Sequence, residues 1–494
     1  MIIEPIGIAA LLIGPLCIVS GLRFAAVVLI ISTLFGASAA IILPAVGNAN
    51  IQPAHLMLGF FALSAATKRS FGREAAAALT YPRPGFWLAL TVLYGVVSAY
   101  YFPRLFWGAT YVFGLRGETG GSVTLSPLGP SSGNVTQTVY FISDLVCFII
   151  CYVYAASHSG KRALGNAILL CGVINLLFAI LDVATYSVNA TELLAPIRNA
   201  TYRMLNDTES IGLKRVVGSF SEASAFGYAT LGLFAFSTRL WLEGVYPRTT
   251  LVVSGMSLVA LSVSTSTTAY VGTSIFLILN FLRYLWRALS GRVTQQMLAF
   301  IVAIPILTVA IVTGILLNDS MEAYIHDAIN TVLLTKLSSN SGVERTAWNA
   351  QAMVNFFDTY AIGGGIGSLR ASSFPVAVLG SMGIAGAVLY AAFLSTVVVD
   401  ARAAPPDGDW IGTAMQRAAR SACLALLIAA SFTSAFVDLG LQFFVLAALG
   451  SAPRQPVART VERQSAPSSP PVRVASSPWW PVTSQRSNCL DRRR

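Results

Sequence analysis

The chain has 494 residues, of which 55% are hydrophobic and 11% charged, with a mean hydropathy of +0.69 and 32 basic against 21 acidic residues, a net charge of +11. Soluble domains carry roughly a quarter charged residues and disordered chains are more polar still, so neither class fits. The solvent for most of this chain is lipid. Each helical crossing takes about 20 mostly apolar residues. A membrane barrel is excluded because its strands alternate in polarity, whereas the runs 24–43 and 297–317 do not.

Taken in chain order, apolar runs bounded by charges or by Gly, Pro and Ser clusters predict spans at 6–22, 24–43, 54–67, 86–102, 138–157, 164–186, 218–238, 249–265, 267–282, 297–317 and 376–399. No basic residue precedes the first run, so it reads as a retained span and not as a cleaved signal. The stretch 418–450 would make a helix about 50 Å long, too long for a hydrocarbon core of about 30 Å, and splits near Ser434 into a hairpin. The expected fold class is an all-α, polytopic transmembrane protein with about 13 spans. Residues 1–450 form its membrane domain, and residues 451–494, rich in Ser, Pro and Arg, form a disordered basic tail in which Trp479 and Trp480 are solvated.

Basic residues resist translocation and so report orientation. Lys68, Arg69, Arg73 and Arg83 lie in the loop 67–85, Arg283, Arg287 and Arg292 in the loop 283–292, and eight arginines in the tail. All three segments are expected in the cytoplasm. That leaves the large loops 103–137, 187–217 and 318–375 outside. The net positive charge is therefore a topology signal and implies no nucleic-acid partner. Five of the six cysteines lie in apolar runs with no disulfide framework or zinc spacing, and no dinucleotide or Walker fingerprint is present. Sequons at Asn134, Asn189, Asn199, Asn206 and Asn318 read as chance occurrences in polar loops.

Chemistry-bearing residues concentrate at two outer segments. In the first, Lys214 and Arg215 stand just outside a span and Glu222 about one turn inside it. A carboxylate in an apolar helix is costly unless it is paired or hydrated, so Glu222 is a site candidate, with Arg215 or another outer arginine as its partner. In the second, residues 344–357 form an amphipathic helix expected to lie on the membrane surface. Arg345 and Asn349 are neighbours on it, and Trp348, Ala352 and Phe356 make an apolar stripe. The glycine run from Gly363 to Gly367, including Gly365, followed by Arg370, offers a backbone cradle for an oxyanion. His326 lies in the same loop, and histidine is the side chain whose ordinary charge change falls near neutral pH. Arginine's fixed charge and fork of donors match phosphate oxygens, although a single arginine at a helix end equally suits lipid headgroups.

Three blocks carry a family resemblance: Arg215-Val-Val-Gly-Ser-Phe-Ser-Glu222, the Ser/Thr-rich Leu261-Ser-Val-Ser-Thr-Ser-Thr-Thr-Ala-Tyr-Val-Gly272, and Arg345-Thr-Ala-Trp348 followed by Gly363-Gly-Gly-Ile-Gly-Ser368. In order and topology, over roughly residues 200–400, they resemble the O-antigen polymerase and O-antigen ligase superfamily of bacterial inner-membrane glycosyltransferases. The resemblance implies undecaprenyl-diphosphate-linked oligosaccharides as substrates at the periplasmic face, and a flippase and a chain-length regulator as partners. It also implies diphosphate or acidic-sugar binding by Arg215 and Arg345, with Arg370 and Lys214 beside them. Trp348, Asn349, Gly365 and Gly367 are further expected substrate contacts. The ligases' histidine after the glycine run is replaced here by Ser372, Ser373 and Phe374, and the Ser/Thr block offers Thr267 and Thr268 where many relatives carry arginine. Both departures favour a polymerase over a ligase. Glu222 is the first candidate for general base and His326 the second. No cofactor or metal is expected. The competing class is a flippase using Asp144, Asp182 or Asp438 to couple protons, against which the sequence shows no broken-helix pair.

Overall fold

The computed structural model describes residues 1–44, 49–114, 124–201, 204–205, 209–210, 213–291, 293–316, 340–399 and 409–453. His326, Trp479 and Trp480 lie outside them. Helix accounts for 73% of the structure. In chain order the α-helices are α1 (Pro5–Ser20), α2 (Leu22–Ser32), α3 (Pro53–Ala66), α4 (Phe71–Ala78), α5 (Pro84–Leu105), α6 (Ser132–Tyr154), α7 (His158–Ser187), α8 (Ala223–Leu242), α9 (Pro247–Val263), α10 (Thr267–Leu289), α11 (Gln295–Leu316), α12 (Asn340–Asp358), α13 (Phe374–Val398), α14 (Trp410–Thr433) and α15 (Leu441–Ser451). A 3-10 helix spans Thr191–Ile197.

Local chemistry sets many of the helix starts. Proline opens α1, α3, α5 and α9, where its missing N–H costs nothing and its fixed φ suits the first turn. Ser131 and Asn134 form a capping box at α6, and the Asp409 carboxylate accepts from Gly412 N at the start of α14. α5, α6, α7, α10 and α13 are long and apolar enough to cross a membrane, and α1, α2, α3, α9 and α15 are shorter apolar helices. Large aliphatic side chains such as Leu12, Val19, Ile180 and Val388 stand exposed along these helices. An apolar surface of that kind suits lipid and not water. The chain is a multi-pass membrane protein.

α8 and α14 are buried on most of their faces and pack closely against each other, which makes them the centre of the bundle. Gly232 of α8 has no room for a side chain beside Leu426 of α14, an instance of small residues bringing helix axes together.

The structure departs from the expected all-α reading in three short antiparallel sheets: β1 (Ile2–Ile3) with β2 (Ile41–Leu43) and β3 (Ala49–Ile51), β4 (Tyr111–Phe113) with β5 (Leu125–Pro127), and β6 (Glu209–Ser210) with β7 (Leu213–Lys214). The expected span 24–43 therefore stops at Ser32. Residues 33–40 turn instead, held by Ala37 N donating to Ser219 O and Ala200 N to Ala37 O, and Ile41 and Ile42 enter the sheet. The hairpin expected within 418–450 is present. α14 and α15 run antiparallel, with the Gln416 amide donating to Ala452 O and the Arg420 guanidinium to Gly450 O. Between them residues 434–440 are not helical. α15 has 11 residues and a length of about 16 Å, half of a hydrocarbon core, so the second arm of the hairpin is too short to cross a membrane by itself.

Candidate functional site

The segment entering α8 is anchored from beneath by Asp182, near the end of α7. Its fully buried carboxylate accepts from Arg198 Nη2 at 2.6 Å, Lys214 Nζ at 2.7 Å, Val217 N at 2.8 Å and Gly218 N at 3.1 Å. Arg198 also donates to Gly218 O. A buried acid satisfied by two cations and two amides is a structural tie. Lys214, a candidate diphosphate ligand by sequence, spends its charge here, with 6% of its side chain exposed and the Tyr186 ring 5.1 Å away. Arg198 was not singled out by sequence, because it lies in an irregular loop without local pattern.

Above this tie the site residues assemble. Arg215 is half-buried. Its Nη2 donates weakly to Thr265 O at 3.4 Å, while its buried Nε meets no acceptor. Burial pushes the guanidinium below its ordinary value, Glu222 opposes that shift, and Arg345 adds to it. Glu222 stands at the N-cap of α8 and not a turn inside it. It accepts from Ser224 Oγ, and a carboxylate there suits the positive end of the helix. Arg345 of α12 reaches over from far along the chain, with Nη2 3.9 Å from Glu222 Oε1. The two side chains are 30% and 37% exposed. A long, half-solvated ion pair contributes about 0–1 kcal/mol at best, too little to serve as structural glue. It is available to a ligand instead.

The Ser/Thr-rich block closes the third side. Ser264, Thr265 and Ser266 are buried at the junction of α9 and α10, and Thr265 holds φ +47°. A β-branched residue at positive φ is a strained conformation that functional sites often retain. Here it aims the Thr265 carbonyl at Arg215. Tyr270, one turn into α10, acts electrostatically on Arg215 and donates its hydroxyl to Ser262 O. Three segments distant in sequence thus meet at the start of α8.

α12 joins this cluster to a second one. Arg370 lays its guanidinium over the Trp348 ring, 4.3 Å from the centroid, and its backbone N–H donates to Phe113 O. Asn349 Oδ1 accepts from Ser372 N at 2.7 Å, so Asn349 fixes the loop after the glycine run. The buried face of α12 turns toward protein. Ala352 joins Leu128, Leu369 and Ala377, while Asn355 donates to Thr110 Oγ1 and Tyr111 O. The large apolar residues that α12 leaves exposed, among those described, are Val343, Val354 and Phe357, not the expected stripe.

The glycine run is not an open cradle. Gly363, Gly365 and Gly367 adopt φ +95°, +92° and +81° and are buried. Gly364 N donates to Gly380 O and Gly365 N to Ser381 O. A Cβ at Gly365 would stand 2.6 Å from Ser98 O, and one at Gly367 would overlap Gly133 O. These glycines allow the chain to thread between α5, α6 and α13, with Asn134 tying to Ile366 O and Ser368 Oγ. Neither Gly365 nor Gly367 faces a space that a substrate could enter, because neighbouring backbone already fills it. Among the described residues no cluster of three or more His, Cys, Asp or Glu side chains could hold a metal ion. No protein-family model and no curated protein matches the chain.

Proposed function

We propose that this protein is a membrane glycosyltransferase of the polysaccharide-polymerase type. It would join undecaprenyl-diphosphate-linked oligosaccharide repeat units at the periplasmic face of a bacterial inner membrane, in a topology of about 13 spans. One observation carries the reading: Arg215, Glu222 and Arg345, from blocks far apart in sequence, meet at one helix start, with the Ser/Thr-rich junction behind them. Two guanidinium groups around one carboxylate suit a reaction in which an anionic leaving group departs while a proton is removed.

In that reaction the hydroxyl of an incoming repeat unit attacks the anomeric carbon of the growing chain. The new glycosidic C–O bond forms as the bond to the lipid diphosphate breaks. Glu222 takes the hydroxyl proton, and Arg215 and Arg345 stabilise the diphosphate as it leaves. Arg370, held flat against Trp348, offers a second cationic surface for glycan or phosphate. The flippase and chain-length regulator would supply repeat units and set product size.

A transporter of the same lipid-linked units is the second reading, favoured by the acidic Asp438 in the turn between α14 and α15. Deleting the gene separates the readings. A polymerase mutant accumulates single repeat units on the outer face. A ligase mutant accumulates full-length lipid-linked polymer, and a flippase mutant traps single units inside.

A further inference from the structure

The bundle holds a second cluster of ionisable groups that the proposed reaction does not use. Asp144 of α6 is fully buried, and neither of its carboxyl oxygens meets a donor. The Asp438 carboxyl, in the non-helical segment between α14 and α15, acts on it electrostatically. Among the described residues no Lys or Arg forms an ion pair with either. Among the described residues Asp438 Oδ1 accepts from Gly440 N, two residues on.

Several elements around the pair contribute titratable or polar groups. Tyr228 of α8 and Tyr390 of α13 lie within electrostatic reach of both carboxyls and donate their hydroxyls to Leu439 O and Val437 O, the carbonyls flanking Asp438. His55 of α3 faces Asp438, stacks on Tyr140 of α6 at 4.5 Å, and has no partner on either ring nitrogen. Cys147 of α6 and Cys423 of α14 complete the surroundings. The result is a set of hard oxygen donors, two of them acidic, beside the turn between α14 and α15. Two adjacent carboxylates in a low-dielectric interior do not both remain ionised without a positive charge between them. Non-helical backbone is tolerated inside a membrane bundle where protein groups satisfy it, as the Tyr228 and Tyr390 hydroxyls satisfy Leu439 O and Val437 O.

We infer that Asp144 and Asp438 form a binding site for one monovalent cation, a proton or a sodium ion, at the turn between α14 and α15. The site uses none of Arg215, Glu222 and Arg345, and the inference stands whether or not the polymerase reading does. It is joined mechanically to the loop beyond the glycine run, because Ala371 N donates to Ala435 O in the same non-helical segment.

The test is infrared spectroscopy on the purified full-length protein in lipid nanodiscs, with thermal melting in sodium or choline chloride alongside. At neutral pH without sodium, the wild type shows the C=O stretch of a protonated, non-hydrogen-exchanging carboxyl. Asp144→Asn and Asp438→Asn each lose one carboxyl equivalent of it, and the surface variant Glu74→Gln loses none. If sodium at fixed pH removes the band and raises the wild-type melting temperature, the cation is sodium. If the band persists in sodium, it is a proton. Absence of the band together with a melting temperature indifferent to sodium overturns the inference, and because both readouts are made on the wild type, they decide even if a variant fails to fold.

Discussion

Arg345 Nη2 lies 3.9 Å from Glu222 Oε1, joining α12 to the N-cap of α8 across a half-solvated gap. The separation is long for a hydrogen-bonded pair, and the carboxylate keeps the Ser224 hydroxyl as its close partner. Removing the pair should therefore leave the fold intact. Glu222→Gln should change the melting temperature of the purified protein by no more than an ion pair worth about 1 kcal/mol allows. On the polymerase reading the same variant makes little or no polymer. A variant that melts normally and still polymerises would remove Glu222 from the chemistry.

Asp182 should behave in the opposite way. Asp182→Asn leaves Arg198 and Lys214 buried without a counter-charge and should cost about 3–5 kcal/mol, read as a large drop in melting temperature or folded yield. Lys214→Met keeps the Arg198 tie and should cost less. If Lys214→Met melted like the wild type yet made no polymer, Lys214 would be a substrate ligand and not an anchor.

The glycine run carries a structural prediction. Gly365→Ala and Gly367→Ala each combine a positive φ with a Cβ driven into backbone, a steric conflict expected to cost several kcal/mol, about 3 or more. Gly21→Ala also has a positive φ, +84°, in a region used essentially by glycine alone, but open space around it, and should cost about 1–3 kcal/mol from backbone strain without a steric clash. Comparing folded yields of the three separates packing from backbone strain.

How much of this was legible in the sequence depended on whether the signal was local. Helix starts at Pro53, Pro84 and Pro247 and the break after Thr433 follow from proline, length and hydropathy. The early end of α2 was not legible, because Ile41 and Ile42 are as apolar in a buried strand as in a helix and only their pairing with β1 and β3 distinguishes the two. Glu222 and Arg345 were legible as site candidates, and their meeting was not. Asp182 read as a lone membrane acid because its partners sit in loops with no periodicity, and the glycine run read as a cradle because a sequence shows φ freedom but not what fills the space.

The opposite end of the bundle supplies a pH prediction. Burial raises the affinity of Asp409 for its proton, but the Arg162 guanidinium at 2.5 Å, the Gly412 N–H and His158 outweigh it and hold the carboxyl below its ordinary value. A depressed folded value means that this anchor between α7 and α14 contributes fully above an unfolded carboxyl value of about 3.9 and is lost as pH falls through the lower folded one. Acid melting curves should show that limb in the wild type and a flatter one in Asp409→Asn, which lacks the contribution at every pH. Parallel curves would contradict the assignment.

The central claim is that two guanidinium groups around Glu222 act on a lipid-linked diphosphate. The most direct measurement is the length distribution of surface polysaccharide from cells whose only copy carries Arg215→Ala or Arg345→Ala, each present in the membrane at wild-type level. The account predicts single repeat units and no long chains from either variant. Full-length polymer from both would contradict it.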